Sequence, residues 1–186
     1  MSKQSSSKSF NRRQFLSSAS TIAIASSFPL LAQSATHTSS GRTLSFVNLH
    51  TNETLSCCYW QKGHYDLKAL SQINTILRDH RTGEIAEIDT QLLDLLHQLH
   101  KLTQSSSRFE IISGFRSVKT NETLRNTTSG VAKKSHHMQG KAIDVRLPDI
   151  ELKTLRDAAI SLQAGGVGYY TKNSFLHLDT GRPRNW

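Results

Sequence analysis

The segment from Lys141 to Leu147 constrains this chain more than any other. Ile143 and Val145 fall on one side of a strand there, and Ala142 and Asp144 on the other. The first side can bury itself; the second turns a charged aspartate towards a cleft. Gly140 stands immediately before the strand and permits a tight turn, so the loop carrying His137 can fold back beside Asp144. A second late segment, Phe175–Asp179, repeats the pattern: Leu176 and Leu178 share one face, and Phe175, His177 and Asp179 the other. His177 is the only histidine downstream of His137.

The elements around these strands imply an α+β domain, with helices flanking an antiparallel sheet. Arg42 to Trp60 reads as a hairpin turning at His50–Glu53, with Asn52 as the turn residue. His64 to His80 has helical spacing at Leu67, Leu70, Ile73 and Leu77. Asp89 caps a second helix, Thr90 to Leu102, whose stripe is Leu92, Leu95, Leu96, Leu99 and Leu102. Phe109–Ser113 is a short strand. Ser117–Gly130 is polar, with a short helix expected around Glu122–Arg125. Asp149 should cap a helix from Ile150 to Gln163, followed by strands at Val167–Tyr170 and Ser174–Asp179.

The first 35 residues belong to a different class. Asn11-Arg12-Arg13-Gln14-Phe15-Leu16 is a twin-arginine pair followed by an apolar step, and Ser17–Ala32 carries no charge. Small residues at Ala32, Ser34 and Ala35 suit a signal peptidase, and the apolar stretch is short against the roughly 20 residues of a membrane span. Residues 1–35 are therefore expected to be a twin-arginine signal peptide for export to the periplasm, leaving residues 36–186 as one domain without stable membrane insertion. The leader holds four of the 23 Lys and Arg and none of the 14 acids, which lowers the net charge from +9 to +5 in the mature part. A nucleic-acid interface would need a denser basic face with interleaved aromatics. A mildly basic exported domain suits an anionic polymer such as the cell wall. The only cysteines, Cys57 and Cys58, are adjacent on a strand, point to opposite faces and cannot easily bridge, so no disulfide framework is expected.

An imidazole and a carboxylate brought together behind Gly140 supply two of the three protein ligands of a catalytic zinc site. A further histidine completes the set and leaves one position for water. His137, Asp144 and His177 are the candidates. His136 neighbours the first and offers an alternative donor. His97 and His100 lie on a helix surface, and His50, His64 and His80 fall in turns or at helix ends.

Ser135-x-His137-x-x-Gly140-x-Ala142-x-Asp144 resembles the zinc motif of the D-Ala-D-Ala metallopeptidases, which share a fold with lysostaphin-type enzymes and the hedgehog signalling domain. The chain is more similar still to the YcbK-like (MepK-like) murein endopeptidases of Gram-negative bacteria. That similarity runs through Ile112–Ser117, Gly130–Ser135, Ala164–Tyr170, Phe175–Gly181 and Trp186. The resemblance implies a zinc peptidase with one Zn²⁺ held by His137, Asp144 and His177; the mature domain is separately expected to be a monomer. Peptidoglycan stem peptides would be its substrate, and 3-3 diaminopimelate links are favoured over 4-3 D-Ala links. It also implies that Arg116 lines the cleft and binds a substrate carboxylate or the oxyanion.

Many relatives carry a Glu three residues before the last ligand, where this chain has Ser174; others use His-x-His, where it has His177-x-Asp179. Asp179 is the candidate general base or orienting group. A swapped assignment, with Asp179 on the metal and His177 as base, is left open. So are two other functions: a D,D-carboxypeptidase trimming terminal D-Ala, and a non-catalytic wall-binding module.

Overall fold

The computed structural model describes residues 41–128 and 130–186. The leader expected in residues 1–35 lies outside the described residues. Thirteen elements follow in chain order: β1 (Arg42–Asn48), β2 (Thr54–Gln61), β3 (His64–Tyr65), α1 (Leu67–Ile76), α2 (Thr90–Thr103), β4 (Phe109–Ser113), α3 (Val118–Thr127), a 3₁₀ turn (His136–Gln139), β5 (Ala142–Arg146), α4 (Leu152–Ser161), β6 (Gly166–Tyr170), β7 (Phe175–Asp179) and β8 (Arg184–Asn185).

The strands form one sheet in the order β3-β2-β1-β4-β5-β7-β6-β8. Its pairings are antiparallel except β1 with β4 and β6 with β8, which are parallel. The β1–β4 pairing needs a long crossover, and the intervening chain supplies it with α1 and α2. Phe46, Phe109, Ile111, Ile143, Val145, Leu176 and Leu178 on one face of the sheet join Ile73 of α1, Leu92, Leu96 and Leu99 of α2, and Leu155 of α4 in a single core. Alternation then leaves Asp144 and His177 on the opposite face.

The α+β class and the late strands agree with the sequence pattern; several boundaries do not. Lys62 and Gly63 both take positive φ, the backbone a two-residue hairpin requires, so His64 and Tyr65 pair back onto β2 rather than starting a helix. α1 begins after Asp66, whose carboxylate accepts from the Lys68 and Ala69 amides. It ends at Ile76 because Asp79 closes its own turn, accepting from the Arg81 amide. Leu67 and Leu102 are exposed and drop out of the expected stripes. α3 extends well beyond Glu122–Arg125; its buried positions are Thr120 and Asn121, so no apolar stripe marks it. Asp149 does not cap α4. Its carboxylate instead accepts from the Ser105 hydroxyl and the Ser106 amide, tying down the loop before β4.

Candidate metal centre

The site lies where β5, β7 and the 3₁₀ turn meet. Ser135 opens that turn by accepting the His137 amide on its hydroxyl (3.3 Å). Gly140 closes it with φ +67°, and a Cβ there would run into the Glu87 carbonyl. This turn holds His137 beside β5 at 3% exposure, next to Asp144 at 6%. Asp144 and His177 are direct partners across β5 and β7. Register and turn together bring the three expected ligands to one point.

Three donor atoms converge there. His137 Nε2 lies 3.1 Å from His177 Nδ1, which lies 2.9 Å from Asp144 Oδ1. The third side, His137 Nε2 to Asp144 Oδ1, is 3.3 Å. Ligands held ~2.0–2.1 Å from a tetrahedral ion stand about 3.3 Å apart, so the spacing fits zinc-type coordination. The donor chemistry fits as well, because the outer ring nitrogens are already committed. His137 Nδ1 lies 2.8 Å from the Gly114 carbonyl, which can only accept, so Nδ1 carries the proton and Nε2 keeps a lone pair. His177 Nε2 likewise donates to Asp179 Oδ2 (3.0 Å), which turns Nδ1 towards the cluster.

Electrostatics favour a cation at this point. Burial works against ionising Asp144, yet the two imidazoles hold its carboxyl well below the usual carboxylate range. Burial pulls His177 down, but hydrogen bonds to Asp144 and Asp179 outweigh it and push the imidazole up to about 9. Two carboxylates thus bracket one ring.

Asp179 is fully buried and meets the cluster only through the outer nitrogen of His177. Oδ1 accepts from the Gly166 amide (3.2 Å), the Gly181 amide (2.8 Å) and Arg184 Nη1 (3.0 Å). Oδ2 accepts from Arg184 Nη2 (2.6 Å) and His177 Nε2. These bonds overcome the cost of burial and keep Asp179 ionised far into acid. Arg184 gave no signal in the sequence, because only the β6–β8 pairing brings it here. His136 stands outside the cluster, with Nδ1 3.5 Å from Asp179 Oδ1.

Arg116 lies on the β4 side, its Nη2 3.6 Å from Asp144 Oδ2. Its other contacts, to Asn121 Oδ1 (3.5 Å) and Ser113 Oγ (3.4 Å), are at the edge of hydrogen-bond range, and among the described residues Nε has no partner. Buried Asp79 holds the adjacent Ser117 amide (2.9 Å) and so fixes the backbone that carries Arg116.

Comparison with known proteins gives the family of the chain. The family model described as peptidoglycan L,D-endopeptidase MepK matches residues 36–186. The chain belongs to that family. The peptidoglycan L,D-endopeptidase MepK of Escherichia coli strain K12 is 39% identical over 176 residues, covering 95% of this chain and 97% of the relative. The MepK of Shigella flexneri aligns with the same figures. The probable peptidoglycan L,D-endopeptidase MepK of Haemophilus influenzae is 34% identical, covering 95% of each chain. In this MepK-family chain no helix among the described residues is long and apolar enough to cross a membrane.

Proposed function

We propose that the protein is a zinc-dependent murein endopeptidase that hydrolyses peptide cross-links of peptidoglycan, favouring 3-3 diaminopimelate links with 4-3 D-Ala links as a second target. The observation that carries this is the convergence of His137 Nε2, His177 Nδ1 and Asp144 Oδ1 within 2.9–3.3 Å in a chain of the MepK family. Those three side chains would hold one zinc ion. When bound, zinc would polarise the scissile carbonyl and lower the pKa of water towards ~7.

The chain's own residues do the rest. The Gly114 carbonyl and the Asp179 carboxylate hold the outer ring protons, so both lone pairs face inward. Of the roles open to Asp179, orientation suits it better than proton transfer: its oxygens already accept five donors. The same saturation argues against the swapped assignment with Asp179 on the metal. Arg116, with only long contacts, has free capacity for a stem-peptide carboxylate or the oxyanion. Residues 1–35 act as a twin-arginine leader, and residues 36–186 work in the periplasm as a monomer. The match of the family model to that same stretch, and the activity named for the relatives, support this placement.

Incubation with cross-linked muropeptide dimers tests the proposal. Dimers should disappear with zinc, persist with a chelator, and persist with His137→Ala. Persistence of every dimer with zinc present would overturn it. Loss of terminal D-Ala from free pentapeptides, with dimers intact, would point to a D,D-carboxypeptidase. Binding to sacculi without release of fragments would point to a wall-binding module.

A further inference from the structure

The strand order sets the active face between two unlike neighbours. β4, β5, β7 and β6 lie side by side. Arg116 stands just beyond β4, and Trp186 stands beyond β8, over β6. Gly168 of β6 is the cross-strand partner of His177. A Cβ at Gly168 would lie 2.8 Å from the Trp186 ring and 2.9 Å from the Tyr170 ring, so the missing side chain lets the indole settle directly beside the ligand. The indole and the His177 ring are 5.5 Å apart, centre to centre.

This indole is held firmly yet left open. The Trp186 amide donates to the Val167 carbonyl (3.2 Å), and the Tyr169 amide donates to the Trp186 carbonyl (3.0 Å). Trp186 Nε1 donates to the Tyr170 hydroxyl (3.1 Å). The Tyr170 ring stacks on Phe175 at 4.7 Å, and the Arg184 guanidinium lies 5.0 Å from the indole centre. Even so, Trp186 is 52% exposed and Tyr170 37%. A large ring fixed on all these sides but not covered is a preorganised contact surface, since a partner that docks on it does not have to order it.

We infer that Trp186 and Tyr170 form an aromatic subsite for the stem peptide on one side of the scissile bond, while Arg116 takes a carboxylate on the other. This rests on the endopeptidase reading above and deepens it. From β4 to β6 is three strand spacings, about 14 Å at ~4.8 Å each. An extended peptide covers ~3.3–3.6 Å per residue, so a substrate reaching both ends needs about four residues. A cross-linked peptide has residues on both sides of the bond and spans that length. A stem that ends one residue past the scissile bond does not. The occupant suited to the indole face is the methylene chain of a diamino-acid residue, apolar along its length and charged only at its ends.

Two measurements on the full protein test this. In steady-state cleavage of a cross-linked dimer, Trp186→Ala should raise KM about tenfold with a smaller fall in kcat. Trp186→Phe should recover most of the loss, and zinc content should match wild type in both. Secondly, titrating the dimer into the His137→Ala protein should shift tryptophan emission, and the shift should vanish in His137→Ala/Trp186→Phe. The second measurement needs no turnover and does not depend on Trp186→Ala folding, so it stands even if wild type proves inactive, an outcome that would count against the endopeptidase reading instead. Unchanged KM in Trp186→Ala, or an emission shift that survives in the Trp186→Phe background, would overturn the aromatic subsite.

Discussion

Two histidine pairs are anchored to carbonyls two residues apart, Ile112 and Gly114, and behave as opposites. His137 is anchored to the Gly114 carbonyl and meets His177; His50 is anchored to the Ile112 carbonyl (2.9 Å) and meets His80. The first pair is tilted, with rings 59° apart and nitrogens facing one another at 3.1 Å. The second is stacked, with rings 8° apart and 3.8 Å between centres. Stacked rings aim their in-plane lone pairs along parallel planes, so the two cannot converge on one ion. The neighbours differ too. Asp144 and Asp179 bracket His177 and raise it to about 9, whereas burial, His50 and Arg81 lower His80 to about 4. Proximity of two imidazoles is therefore not enough for a candidate metal site; the first pair adds ring tilt and flanking carboxylates.

The sharpest way to break this contrast is to remove the shared carboxylate. Asp144→Ala should abolish zinc binding and lower dimer cleavage by more than 100-fold, while His50→Ala should leave zinc content at the wild-type level. Equal zinc loss in the two variants, measured by elemental analysis, would show that the pairs are not different in kind. Asp179→Asn is the next step down. It keeps an oxygen for His177 Nε2 but loses the charge that Arg184 grips. Zinc affinity should fall about 10–100-fold, and excess zinc should restore much of the cleavage. A variant that binds zinc normally but has lost kcat would instead make Asp179 the proton carrier.

How much of the contrast was visible in the sequence depends on how local each cause is. The parity of β5 and β7 follows from strict alternation, so Asp144 and His177 could be placed on the polar face from residue order alone. Gly140 likewise declared its turn. Beyond Asp179, the groups around the ligands were not legible. Arg184, Gly168 and the position of the Trp186 ring depend on β8 pairing parallel to β6, a tertiary choice without local signature. Asp79 looked like part of a helix because Leu77 continued the apolar spacing; its side chain closes a turn and holds Ser117 instead. Lys62 concealed a hairpin because lysine rarely takes positive φ, and α3 concealed its length because it buries Thr120 and Asn121. Nothing in the spacing of His50 and His80 announced that they would stack.

The smallest expected effect concerns that stacked pair. His80 is held to about 4 by burial first, then by His50 and Arg81, with Asp79 pulling the other way. An unfolded histidine titrates near 6.5, so between about 6.5 and 4 the unfolded chain binds more protons than the folded one. Stability from this group is therefore complete above about 6.5, falls as the pH drops through that window, and levels off below about 4. His80→Gln removes the titration and should flatten that part of the curve, narrowing the acid-induced loss of Tm by a few degrees. Asp79, Asp144 and Asp179, all held low, add their own losses in stronger acid, so the informative quantity is the difference between wild type and variant across pH 4–7. Parallel curves would mean that the ring is solvated well enough to titrate normally. The electrostatic half of the contrast would then rest on His177 and its two carboxylates alone.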